Sequence, residues 1–174
     1  MLVIVENSAA AGADFDLQSG LSETINIFLT KKARISSKFV VPLSELALLA
    51  EQEDDFSRLS PVEIGRKLDS GVVLYVQITN YNLYDADRRG YYSGSLVTRS
   101  ILLDVSSGEV LWPESSTGRV VIAGFELETT GRAAAVERLV RTTAHCIVRN
   151  FYNCRKDRYK TNDEQTHYMS VDKW

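Results

Sequence analysis

The chain has 174 residues, 44% hydrophobic and 25% charged, with 20 basic and 23 acidic side chains that leave a net charge of −3. That length holds one domain able to bury roughly 70% of its unfolded surface, and the apolar fraction is too high for a disordered chain. Two cysteines cannot build a disulfide scaffold, no apolar run reaches the roughly 20 residues that span a bilayer, and the charge balance excludes nucleic-acid binding by bulk charge.

Leu2-Val3-Ile4-Val5 is a β-branched run that reads as a strand, without the basic and long apolar regions of a signal peptide. Leu17, Leu21, Ile25, Phe28 and Leu29 then recur at helical spacing on one face. Asp14 and Asp16 precede that helix and Lys31, Lys32 and Arg34 follow it, the charge order that a helix dipole favours. Lys38 to Val41 is expected to form a brief strand, and Ser44 to Glu51 a short helix with Leu46, Leu49 and Ala50 inward. Glu51 to Asp55 is an acidic loop. Ser60-Pro61-Val62-Glu63 is a capping box with proline at the first helical position, and its helix is expected to end near Ser70-Gly71.

The period then changes from 3.6 to 2. A strand is expected from Val72 to Tyr84, a hydrophilic turn from Asp85 to Gly90, and a second long strand from Tyr91 to Val105. Ser106-Ser107-Gly108 turns into a short strand ending at Trp112, and Arg119 to Phe125 supplies another. A last helix is expected from about Thr130 to Tyr152, with Val136, Leu139, Val140, Thr143, Ile147 and Phe151 in one stripe. Arg138, Arg141, His145 and Arg149 fall opposite that stripe and are read as a solvated basic face. Residues 1–154 thus form a single α+β domain, a largely antiparallel sheet of about five strands with helices mainly on one face. Residues 155–174 read as a polar, frayed tail.

Two segments carry a family resemblance. Ile64 to Val76, a helix feeding a small-residue turn and a Val-Leu-Tyr-Val run, and Leu103 to Trp112, a strand ending Asp-Val before a Ser-Gly-Glu turn and an apolar run closing on Trp, resemble bacterial envelope lipoproteins. The likeness is to the αβ domain of the CsgG/LpoB-like group and the amino-terminal domain of TolB. It implies an anticodon-binding-like αβ topology and a non-enzymatic accessory or assembly role with a protein partner, or a homo-oligomer, in the cell envelope. The location it implies is periplasmic or outer-membrane-associated if a leader was removed, and otherwise cytoplasmic. Membrane contact is then expected only through a lipid anchor that these residues do not contain.

Five of the eight tyrosines, Tyr75, Tyr81, Tyr84, Tyr91 and Tyr92, fall within eighteen residues, flanking Arg88 and Arg89. Such residues stabilise a hairpin through cross-strand pairs or anchor an interface. Tyr81, Tyr84, Arg88, Arg89, Tyr91 and Tyr92 are the candidate partner-binding set, and Arg138, Arg141 and Arg149 a candidate basic helix face. Residues 130–160 carry +6 and residues 1–129 carry −7, so that helix could meet an anionic polymer, a lipid surface or an acidic partner. Cys146 and Cys154 lie about 12 Å apart on a continuous helix, too far to bridge, and Cys146 is expected to be a buried small hydrophobe. His145, Cys146 and His167 lack metal-site spacing, and no phosphate loop, Gly-x-Gly-x-x-Gly or Gly-x-Ser-x-Gly occurs. No catalytic residue, cofactor or metal is expected. The alternative is a cytoplasmic small-ligand-binding domain or enzyme in which Asp85, Arg88 and Tyr91 converge on a pocket.

Overall fold

The computed structural model describes residues 1–8, 15–87, 91–115, 117–128 and 131–152. In chain order these form β1 (Leu2–Asn7), α1 (Phe15–Lys31), α2 (Leu43–Gln52), α3 (Pro61–Lys67), β2 (Val72–Asp87), β3 (Tyr91–Asp104), β4 (Val110–Trp112), β5 (Arg119–Glu128) and α4 (Arg132–Val148). The architecture is α+β, with one mixed five-stranded sheet. β2 and β3 pair antiparallel from Val72↔Asp104 to Asp87↔Tyr91. The far edge of β3 carries two strands in line, β5 over Tyr92–Ser100 and β4 over Leu102–Leu103. β1 lies parallel to β2, because the intervening helices return the chain to the end of the sheet where β1 began.

Both faces of the sheet are covered at the end where β1 and β2 start. On one face α1 and α4 pack over Val3, Val5, Leu74, Val76, Ile78 and Leu96, and the α1 positions Leu17, Leu21, Ile25 and Leu29 are fully buried. On the other, α2 and α3 bring Leu46, Leu49 and Ile64 onto Leu2, Ile4, Val73, Leu103 and Val105. That double cover explains why β1 is apolar at every one of its first four positions. Ala50, expected inward, is exposed. The capping box forms as the sequence requires: Glu63 N–H donates to Ser60 Oγ, and Ser60 N–H donates to Glu63 Oε2 at 2.8 Å. Those bonds hold the Glu63 carboxyl below the usual carboxylate range.

Three expectations are corrected. Lys38 to Val41 is not a strand: Ser37–Phe39 is a 3-10 turn, in which Phe39 and Val40 N–H groups bond the Ser36 and Ser37 carbonyls. Only Val41 N–H reaches β1, at the Met1 carbonyl (2.9 Å). α3 ends at Lys67 rather than near Ser70, and Asp69 then turns the chain with φ 47°. β2 continues through Asp85 to Asp87, because its partner β3 continues to offer ladder bonds as far as Tyr91. The expected tail, with Cys154 and His167, lies outside the described residues.

The approach of α3 to the sheet is set by Gly65. A Cβ there would stand 2.6 Å from Val73 Cγ2 and 2.8 Å from Val105 Cγ2, whereas Gly20 in α1 has open space around it. Gly65→Ala should therefore lower stability by about 1–3 kcal/mol through overpacking. Gly20→Ala should raise it by about 0.5–1 kcal/mol through helix propensity. Urea denaturation of both variants reads the two signs; equal effects would show that α3 does not pack this closely.

Candidate functional site

The hairpin of β2 and β3 runs beyond β1, which pairs with β2 only as far as Ile78. Its side-chain directions are reset by a bulge. Ile78 pairs with Thr98 but Asn80 pairs with Val97, so Thr79 is an extra residue, and its hydroxyl donates to the Val97 carbonyl at 3.2 Å. Before the bulge, even-numbered residues of β2 face α1 and α4; after it, odd-numbered ones do. Tyr81 and Leu83 consequently pack against the main core, as does Tyr92. Tyr84, opposite Ser93, turns to the other face with 65% of its surface exposed, and Tyr91, next to Tyr92 in β3, lies on that same side at 37%.

The tyrosines are thus divided: Tyr81 and Tyr92 inward, Tyr84 and Tyr91 outward. Tyr75 lies further down the outward side, against the second core, where its hydroxyl donates to Glu6 Oε2 at 2.7 Å. Burial and that carboxylate raise the Tyr75 phenol well above its ordinary value. Around Tyr84 and Tyr91 no described helix covers the outward sheet face. It continues through Ser93, Val97 and Ile122 to Val120, which is 49% exposed. Arg88 and Arg89 lie outside the described residues. Asp85 pairs with Tyr92 and so sits on the opposite side of the hairpin from Tyr91; these two do not converge. Among the described residues no group of three or more His, Cys, Asp or Glu side chains could hold a metal ion.

On α4 the candidate arginines have intramolecular contacts. The Arg138 guanidinium lies 5.8 Å from the centre of the Phe125 ring. Arg141 pairs with Glu137 at 3.4 Å, an exposed i,i+4 pair of the kind that contributes little to stability. Arg149 follows the helix in a 3-10 turn. The expectation for His145 is corrected: it is only 5% exposed. From Thr142 to Val148 every residue of α4 is buried, because the helix packs on the sheet and against α1, and the Phe28 ring meets His145 edge-on at 6.3 Å. A helical wheel with one buried face does not describe a helix packed on two sides. Cys146 is buried as expected, and burial pushes its thiol up.

No protein-family model and no curated protein sequence matches the chain. Solved structures match in fold. Lipoprotein GNA1162 from Neisseria meningitidis superposes with a TM-score of 0.53 at 17% identity, covering 84% of this chain and 96% of that one. A PelC dodecamer from Paraburkholderia phytofirmans gives a TM-score of 0.50 at 12% identity, covering 87% and 89%. The LpoB C-terminal domain from Salmonella enterica gives 0.42 at 15% identity, covering 72% and 82%. The first two carry the comparison: the chain has the αβ fold of a bacterial lipoprotein, the fold that its two sequence segments resemble.

The burial of His145 has a measurable consequence. Desolvation first, then the charges of Arg149 and Lys32, lower its pKa from 6.5 to about 4. An unfolded chain takes up this proton near pH 6.5 and the folded one near 4. The stability that His145 contributes is therefore complete above about pH 6.5 and lost as pH falls towards 4. The loss should be on the order of 3 kcal/mol. Urea denaturation between those limits should show a steeper decline for the natural chain than for His145→Gln; parallel profiles would mean that His145 titrates alike in both states.

Proposed function

We propose that this domain is a non-enzymatic accessory or assembly module of the bacterial cell envelope that binds a protein partner. The observation that carries this reading is the outward face of the hairpin, which no described helix covers. Two tyrosines stand there at 65% and 37% exposure, on the same face of paired strands, while Leu83 and Tyr92 next to them in sequence are packed inward. Tyrosine suits such a surface because its large ring loses little conformational entropy on binding and its hydroxyl finds a hydrogen bond at a wet rim. The fold supports this setting, since GNA1162, which shares it, is a lipoprotein; our reading puts the domain on the periplasmic side or at the outer membrane. The dodecameric assembly of PelC makes a second copy of this chain one candidate partner.

The test is a photo-crosslinking residue placed at Tyr84 and, as a control, at Leu48, which is 53% exposed on α2. In cells that make the protein naturally, a discrete adduct should form from position 84 and not from position 48, and Tyr91→Ala should reduce it about tenfold or more. The urea midpoint of Tyr91→Ala should move by less than about 1 kcal/mol. An adduct of twice the chain's mass would identify a second copy as the partner. Full adduct yield in Tyr91→Ala, or equal adducts from both positions, would remove the hairpin face as the binding surface.

A further inference from the structure

Four cations without carboxylate partners gather around the end of α1. Residues 24–44 contain Lys31, Lys32, Arg34 and Lys38 and no acidic residue. All four are exposed, and among the described residues none has a carboxylate within ion-pair distance. Beside them Phe39 is 61% exposed, with Lys38 Nζ 4.9 Å from the centre of its ring. The segment is held by its apolar residues: Ile35 packs against the core and Val40 is 9% exposed. The Met1 ammonium also donates to the Phe39 carbonyl. A fixed loop therefore presents four positive charges and one aromatic ring together.

Helix termination explains only part of this. Lys31 and Lys32 are favoured at the end of α1 by its dipole. Lys38 belongs to the following turn, and Arg34 has φ 58°, a left-handed conformation that glycine takes without steric cost and that helix ends commonly give to glycine. The positive field at this end is felt inside the protein, where Lys32 and Arg149 both disfavour the charged form of His145. The acidic loop at residues 51–55 is removed from it by the length of α2, about 15 Å.

We infer that residues 31–39 form a contact surface for an anionic lipid membrane, with Lys31, Lys32, Arg34 and Lys38 on the headgroup phosphates and Phe39 entering the interface. A flat surface touches this end alone. A nucleic acid or polysaccharide long enough to wrap the domain would also meet a body that carries −7 over residues 1–129. An exposed phenylalanine beside cations suits the boundary between headgroups and acyl chains, where its ring leaves water. This contact is direct, made by the chain itself, and would act beside any lipid anchor; it does not depend on the partner-binding reading of the hairpin.

Flotation of the 174-residue chain with vesicles tests it. Binding should be strong to phosphatidylcholine containing about 30% phosphatidylglycerol, weak to phosphatidylcholine alone, and reversed by about 0.5 M salt. Each cation near an anionic surface is worth roughly fivefold in affinity. Arg34→Gly should therefore bind about fivefold more weakly while its urea midpoint stays level or rises, a combination that a merely structural Arg34 would not give. Phe39→Ser should weaken vesicle binding without changing retention on heparin. Equal binding to both vesicles, full binding by Lys31→Glu/Lys38→Glu, or no effect of Phe39→Ser would each overturn the inference. The second of these would place the contact elsewhere, and the third would make it a general polyanion site.

Discussion

Everything in this domain is referred to the pairing of β2 with β3. The two strands run together from Val72↔Asp104 to Asp87↔Tyr91, and each other strand joins one of them. Side chains alternate with period 2, so one added residue exchanges the two faces for all that follows. Thr79 is that residue. Below it, Leu74, Val76 and Ile78 supply the floor on which α1 and α4 rest; above it, Tyr81 and Leu83 take over the same floor, and Tyr84 is turned outward. Without the bulge Asn80 and Asn82 would face the helices and Tyr81 would face solvent. The bulge thus extends the apolar floor along the hairpin and at the same time produces the exposed aromatic face.

How much of this was legible in the sequence follows from the range of the forces involved. α1 was legible because one continuous face is buried, leaving Leu17, Leu21, Ile25 and Leu29 at regular intervals. The capping box was legible because it is satisfied within four residues. The bulge was not, since Ile78-Thr79-Asn80-Tyr81 contains neither glycine nor proline to mark a break. His145 was not legible either: its environment is made by Phe28, more than a hundred positions earlier in the chain. Phe39-Val40-Val41 has the composition of a strand, yet the preceding serines offer local carbonyls that close a 3-10 turn first. For the candidate site, composition located the hairpin and its tyrosines, while their division between two faces depended on the bulge.

Charge followed the same logic. Residues 130–160 hold the largest regional sum of positive charge, which directs attention to α4, but a helix packed on both a sheet and another helix has little free circumference. Arg138 lies over an aromatic ring and Arg141 is paired with Glu137. The loop after α1, with fewer cations, has no acidic residue from position 24 to 44 and presents Lys31, Lys32, Arg34 and Lys38 to solvent. The local balance of partners, rather than the regional sum, decides where a positive surface is available.

The two surfaces lie at opposite ends of the sheet. Met1 bonds to Phe39, and Leu2 pairs with Val73 at the start of β2, so residues 31–39 stand where the long strands of the hairpin begin and end. Tyr84 lies eleven residues beyond Val73 along β2, about 36 Å away for an extended strand. A membrane contact at one end would therefore leave the tyrosine face clear of the lipid, so that the proposed protein partner could dock there without competing for the surface that holds the domain. If instead a partner occupied the 31–39 loop, the exposed aromatic pair would be left without a role at the far end of the longest strands in the fold. The separation of the two features along a single hairpin would make the proposed lipid contact and the proposed partner contact compatible in one small domain.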